Sequence, residues 1–306
     1  MSSDTVKRPL PENLDLPLGK RVRLHRLLYG SGIGNGTLLV LPIDQGIEHG
    51  PLNFFPNPPS KDPEYQWRLA LEGGYNAVAC HWGLARQYMK KYAGKVSLIL
   101  KINGKTNVPS DANAFSPLTA SVADAVTLGA DAVGYTLYLG SPRQDIDINQ
   151  LRQVREQCEK WAMPLVVWSY PRGAAIEAKG GKDSLYAIDY AARVAHELGA
   201  DIIKLNEPKK GPKDGEQPKP YDTHEWSGDE GIRRVVESAG RSMVLFSGGS
   251  KISDDDLVDK AQRTIASGAT GLIFGRNMWQ RPWDDSLAIS GRVHDIMRDY
   301  GIPPQS

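Results

Sequence analysis

Short runs of apolar and β-branched residues recur at Leu38–Ile43, Ala77–Cys80, Val96–Ile102, Ala132–Thr136, Leu165–Trp168, Ile202–Leu205, Met243–Phe246 and Leu272–Phe274, with longer segments of helical spacing between them. Within each run nearly every position is apolar. That suits a parallel strand covered on both faces, not a hairpin strand with one wet face. Between the runs, Ser184–Leu198 repeats apolar side chains at Ala187, Ala191, Val194, Ala195 and Leu198, a stripe at helical spacing. Ser253 followed by Asp254, Asp255 and Asp256 marks another helix start, with Leu257, Ala261 and Ile265 on its buried face.

A weak internal repeat fixes the order of these elements. Glu72-Gly-Gly-Tyr-Asn-Ala-Val, Leu128-Gly-Ala-Asp-Ala-Val, Leu198-Gly-Ala-Asp-Ile-Ile and Ser267-Gly-Ala-Thr-Gly-Leu each end a helix and lead into a strand. The glycine fits the left-handed position that closes a helix. The last three copies lie about 70 residues apart, which leaves room for two βα units in each interval. Eight alternating units predict a single (β/α)8 barrel over residues 1–306, with a polar N-terminal extension to about residue 30. The rival is an open doubly wound sheet. Glu207–Gly228, rich in Lys, Pro, Gly and Asp, interrupts the rhythm after the sixth strand and reads as a long mobile loop on the catalytic face.

Composition narrows the function classes. The 306 residues carry 37 Lys and Arg against 36 Asp and Glu, so no global field favours nucleic acid or an acidic membrane, and any bound anion needs a local site. Two cysteines, Cys80 and Cys158, have no zinc-type spacing and point to a reducing compartment. No apolar run resembles a signal peptide or a membrane span, so the expected setting is cytoplasm.

Candidate chemistry collects at the strand ends. Asp44 follows the first strand directly and points to the barrel mouth, or caps the next turn. Trp168 and Tyr170 share one face of the fifth strand, as reactive groups or as packing. Lys204 lies within the apolar sixth strand. Burial there favours the neutral amine and makes it a nucleophile, unless it pairs structurally with Asp44 or Glu207. The loops Phe246-Ser-Gly248-Gly249-Ser250-Lys251 and Phe274-Gly275-Arg276-Asn277 follow strands seven and eight, where this fold places phosphate, and Arg276 adds a charged donor. Either loop could instead be a simple tight turn.

Taken together, Pro42–Gly50, Leu100–Thr106, Trp168–Gly173, Ala200–Lys204, Phe246–Ser250 and Phe274–Asn277 resemble the archaeal-type class I fructose-1,6-bisphosphate aldolases, a family also found in bacteria. The resemblance implies a metal-free, cofactor-free lyase that reversibly cleaves a phosphorylated sugar through a lysine Schiff base at its C2 carbonyl. It implies Lys204 as nucleophile, Tyr170 as proton-transfer residue, Asp44 as helper in carbinolamine formation and dehydration, and Trp168 as a wall of the site. Gly248, Gly249, Ser250, Gly275 and Arg276 would hold the C1 phosphate; His49, Lys101 and Lys105 are candidates for the second. A homo-oligomer is also implied. Two features depart from the family pattern: Gln45 stands in place of histidine, and the Glu207–Gly228 loop is long. Other phosphosugar substrates, as in transaldolase-like enzymes or synthases of 3-dehydroquinate precursors, remain open, as does a non-catalytic phosphosugar-binding barrel. A metal-dependent aldolase would need a ligand cluster that the six histidines do not show at close spacing.

Overall fold

The computed structural model describes residues 15–209, 216–223 and 226–301. Eight strands, β1 (Leu38–Pro42), β2 (Ala77–His81), β3 (Ser97–Lys101), β4 (Ala132–Leu139), β5 (Leu165–Pro171), β6 (Ile202–Leu205), β7 (Met243–Ser247) and β8 (Gly271–Ile273), pair in parallel in chain order and close into a barrel. Closure runs through β1 and β8, with Leu39 opposite Leu272, and this excludes the open doubly wound sheet. A side chain at Gly271 would meet the Leu38 carbonyl oxygen at 1.8 Å, so the seam closes because that position has none.

Alternation divides the apolar residues into two layers. Leu38, Val40, Ala77, Ala79, Ile99, Val166, Ile202 and Leu245 fill the barrel, whereas Leu39, Leu41, Val78, Leu98, Val167 and Ile203 pack under the helices. Both faces of every strand are thus covered, which is why the strands are continuously apolar in sequence. The two longest, β4 and β5, pair up to Tyr138–Tyr170 and Leu139–Pro171, and so raise one side of the barrel mouth.

Part of the expected polar extension is structural. From Leu18 to Tyr29 it forms a helix, α1, whose Leu24, Leu27 and Leu28 join the interior cluster and close the N-terminal end of the barrel. Its Lys20 is buried and paired with Glu159 at 2.6 Å and Asp201 at 3.0 Å, and Asp201 also accepts the Leu165 amide. Residues 1–14 lie outside the described residues. Among those described, no helix is long and apolar enough to cross a membrane.

Candidate active site

With the floor plugged by α1, the barrel opens at the carboxyl ends of its strands into a cavity of about 750 Å³. All nine residues expected to carry chemistry or hold the C1 phosphate line it: Asp44, Trp168, Tyr170, Lys204, Gly248, Gly249, Ser250, Gly275 and Arg276.

Lys204 is 5% exposed, and its register partner across the sheet is Trp168. Its Nζ contacts the Tyr170 hydroxyl and lies 4.2 Å from the centroid of that ring. The structural ion pair considered for it is not formed. Glu207 is taken by Lys260 at 3.4 Å and Arg263 at 3.1 Å, and Asp44 by Lys101 at 3.4 Å. Burial therefore pushes the Lys204 ammonium down to about 7; Asp44 and Glu48 oppose the fall, and Lys101 and Arg172 add to it. Close to neutral pH a large share of this side chain is the free amine.

Tyr170 stacks on Tyr138 with centroids 6.5 Å apart, and the Arg172 guanidinium lies 5.1 Å from its centroid. Burial, followed by the charges of Glu48 and Asp44, holds its phenol well above the ordinary tyrosine range, so the hydroxyl keeps its proton. Trp168 faces inward and carries the Lys101 ammonium 4.4 Å from its ring centroid, whereas Ser169 faces outward and donates to the Ala191 carbonyl at 2.9 Å. The two aromatics do share a face, and that face is the site. Asp44 stands at the start of the short helix Gln45–His49 but does not cap it with its side chain; the carboxylate turns inward.

The glycine loops form one cradle. Asn277, fully buried, donates to the carbonyls of Gly248 at 3.1 Å and Ser250 at 3.0 Å, and accepts the Ile252 amide at 2.9 Å. It thereby fastens the loop after β7 to the loop after β8. Among the described residues the amides of Gly249, Ser250 and Gly275 have no acceptor, and Arg276 Nε is buried without a partner. Donors that converge without an acceptor are suited to an anion. A side chain at Gly248 would meet Asn277 Nδ2 at 2.8 Å, and one at Gly275 would meet Gln45 Nε2 at 2.5 Å, so the loops approach this closely only as glycines.

The three candidates for a second anion separate. His49 lines the cavity. Lys101 is committed to Asp44 and to Thr136, at 2.6 Å, and Lys105 is paired with Asp111 at 2.7 Å. Glu48, Arg172, Lys182 and Lys209 also line the cavity and were not singled out in the sequence. Arg172 was reachable: it is two residues beyond Tyr170, just past the end of β5. Among the described residues, no three His, Cys, Asp or Glu side chains converge as metal ligands. The described parts of the Glu207–Gly228 loop are tied down: the Lys209 amide donates to Asp183, the Glu216 amide to Ala178, and Tyr221 donates to Asp189 at 2.5 Å.

Comparison with known proteins agrees with this geometry. Residues 38–281 match the family described as DeoC/LacD family aldolase. The chain is 40% identical over 267 residues to the class 1 fructose-bisphosphate aldolase of Thermoproteus tenax, covering 87% of this chain and 90% of that protein. It is 37% identical over 247 residues to the class 1 enzyme of Halobacterium salinarum, covering 81% and 86%. Among solved structures, an archaeal fructose-1,6-bisphosphate aldolase with its catalytic lysine covalently bound to the carbinolamine intermediate superposes with a TM-score of 0.76 at 35% identity, covering 91% of this chain and 100% of that one.

Proposed function

The chain belongs to the DeoC/LacD aldolase family, and from that membership we propose that it is a class I fructose-bisphosphate aldolase in which Lys204 is the Schiff-base lysine. It cleaves fructose 1,6-bisphosphate reversibly to dihydroxyacetone phosphate and glyceraldehyde 3-phosphate. The observation that carries the residue assignment is the unpaired, buried Lys204 amine in contact with the Tyr170 hydroxyl at the barrel mouth.

The C1 phosphate sits on the amides of Gly249, Ser250 and Gly275 with Arg276 beside it, and this grip, remote from the bond that breaks, places the C2 carbonyl over Lys204. The amine adds to C2 and gives a carbinolamine. Tyr170 starts protonated and donates its proton as the carbinolamine hydroxyl leaves as water; Asp44, held by Lys101, assists. The resulting iminium lies against the phenolate it has just created, and this pairing stabilises a tyrosinate that burial alone disfavours. The phenolate then takes the C4 hydroxyl proton, the C3–C4 bond breaks, and its electrons enter the iminium. Protonation at C3 and hydrolysis release the second product and restore Lys204.

The wider setting follows from the same reading. Cys80 and Cys158 are free and buried, which supports a reducing, cytoplasmic compartment, and the reaction places the enzyme in glycolysis or gluconeogenesis. Exposed Leu18, Val22 and Trp161, gathered where α1 meets the Glu159–Ala162 turn, support a homo-oligomer.

Reductive trapping tests the assignment. Borohydride with dihydroxyacetone phosphate should add one reduced adduct on the peptide containing Lys204. An adduct on another lysine, or none on folded protein, sinks it.

A further inference from the structure

Two lysines are buried within one barrel, and the Asp44 carboxylate turns inward close to both. Lys101 is 4% exposed, Lys204 5% and Asp44 9%. The carboxylate is not shared evenly: Asp44 Oδ2 lies 3.4 Å from Lys101 Nζ, while Lys204 forms no ion pair among the described residues. We propose that Lys101 is a positioning residue that holds the Asp44 carboxylate on the β3 side of the barrel and so keeps Lys204 unpaired and reactive. The inference rests on the Schiff-base reading of Lys204 and deepens it.

The surroundings of Lys101 are built to fix it. Its Nζ donates to Thr136 Oγ1 at 2.6 Å. Thr136 is itself locked, because its amide donates to Asn103 Oδ1 at 2.7 Å and Asn103 Nδ2 donates back to its carbonyl at 2.9 Å. The Trp168 ring covers the ammonium at 4.4 Å from its centroid. On β4, directly beside Lys101, stands Gly134; a side chain there would meet Lys101 Cδ and Trp168 Cζ3, both at 2.8 Å. A hydroxyl, a ring face, a carboxylate and a vacant Cβ position thus converge on one lysine that lies outside the main cavity wall. A lysine held only for packing needs none of these polar partners.

The chemistry gives the arrangement a purpose. A Lys204 ammonium paired to Asp44 would be stabilised as the cation and lost as a nucleophile. Asp44 is close enough to act on it, since its charge is the largest force opposing the fall of the Lys204 ammonium after burial. The charged and titratable groups facing Lys204 are Asp44 and Glu48 after β1, Lys101 on β3, Tyr170 on β5 and Arg172 just past it, and Arg276 after β8 across the cavity. Those facing Lys101 are Asp44, Glu48, Lys204 and, from β2, His81, which burial pushes down to about 4 and which therefore brings no charge.

The test is the pH dependence of cyanoborohydride trapping of dihydroxyacetone phosphate, from pH 5.5 to 9.5, followed by intact mass. Wild-type trapping should rise with a midpoint near 7. In Lys101→Met, which keeps the apolar stem against Trp168, Asp44 turns to Lys204 and the midpoint should move up by about one unit. Trapping at pH 7 then falls about five-fold while trapping at pH 9 stays within about two-fold of wild type. Adding Asp44→Asn should bring the midpoint back down. Lys101→Gln, which retains a donor to Thr136, carries the same test if the Met variant fails to fold. A purely structural Lys101 lowers stability and leaves the midpoint in place, and an unmoved midpoint in folded protein overturns the proposal. A double variant that stays as high as Lys101→Met also overturns it. No trapping by the wild type at any pH would remove the Schiff-base reading itself, and the proposal with it.

Discussion

At the scale of single residues, the reactive lysine is one the fold accommodates at a cost. Its folded-state value of about 7 lies below the ordinary lysine value, so between those two pH values the unfolded chain holds a proton that the folded chain has released. Stability therefore rises with pH across that window, and below about 7 the whole burden of a buried ammonium is present. Lys204→Met removes this burden. The variant should be inactive and yet melt higher than wild type at pH 6, by an amount on the order of a few kcal/mol, with the difference shrinking as pH approaches 10. Thermal melts at several pH values check it, and a variant less stable at pH 6 would argue that the lysine is paired after all. Tyr170→Phe separates two steps of the reaction. The ring keeps its stacking on Tyr138 while the exchangeable proton is lost. Turnover of the bisphosphate should fall by roughly 10²–10⁴-fold, and borohydride trapping on Lys204 should persist at a lower rate, because Tyr170 no longer supplies the dehydration proton and Asp44 alone assists. Near-normal cleavage would make the aromatic pair packing only.

At the scale of elements, the phosphate cradle depends on a clamp that lies behind it. Asn277 holds three backbone groups of the loop after β7, and its own loop follows β8. Asn277→Ala leaves those groups buried and unmatched, which costs about 1–3 kcal/mol in folding. It should also let the amides of Gly249 and Ser250 drift, so that KM for the bisphosphate rises about tenfold with a smaller change in kcat; steady-state kinetics with parallel melts separate the two effects. The clamp was invisible in sequence because an asparagine two residues after Gly275 reads as part of a turn. The strands themselves were legible, since parallel strands covered on both faces are apolar throughout, and β2, β6 and β7 depart from their predicted runs by no more than one residue. The reach of β4 to Leu139 was not, because it depends on pairing with β5 that the segment does not encode alone, whereas β5 was already read through Tyr170. Helix α1 was read as polar tail. Its cationic residues dominate the composition, although Leu24, Leu27 and Leu28 carry an i, i+3, i+4 stripe. Lys204, Tyr170, Asp44 and the glycine loops were legible because strand ends point to one mouth. The binding of Lys101 to Asp44 and Thr136 was not, because only the curvature of the barrel turns the mouth-side ends of β1, β3 and β4 towards one another, with β2 lying between β1 and β3.

At the scale of the whole molecule, an almost neutral chain must hold a highly charged substrate, so its charge has to be sorted in space. The formal net charge is +1. On the cavity wall Lys209 is paired with Asp183 and Lys260 with Glu207, whereas Arg276 and Lys182 have no ion-pair partner among the described residues. The positive field is therefore local to the mouth, and low-dielectric walls focus it there. Such a field acts over roughly a Debye length, about 10 Å at 0.1 M salt and about 30 Å at 0.01 M. A bisphosphate entering the cavity carries two groups that respond to it, and a ketose with a phosphate only at C1 carries one. Raising ionic strength from 0.02 to 0.3 M should thus lower kcat/KM for fructose 1,6-bisphosphate several-fold more than for fructose 1-phosphate, with kcat nearly constant for both. Arg276→Ala should flatten the salt dependence of both substrates, because it removes the cation at the C1 phosphate they share. Lys182→Ala should flatten it for the bisphosphate alone if this lysine meets the second phosphate. Equal salt slopes for the two substrates would show that the mouth acts on the C1 phosphate only and that the outer cations are spectators.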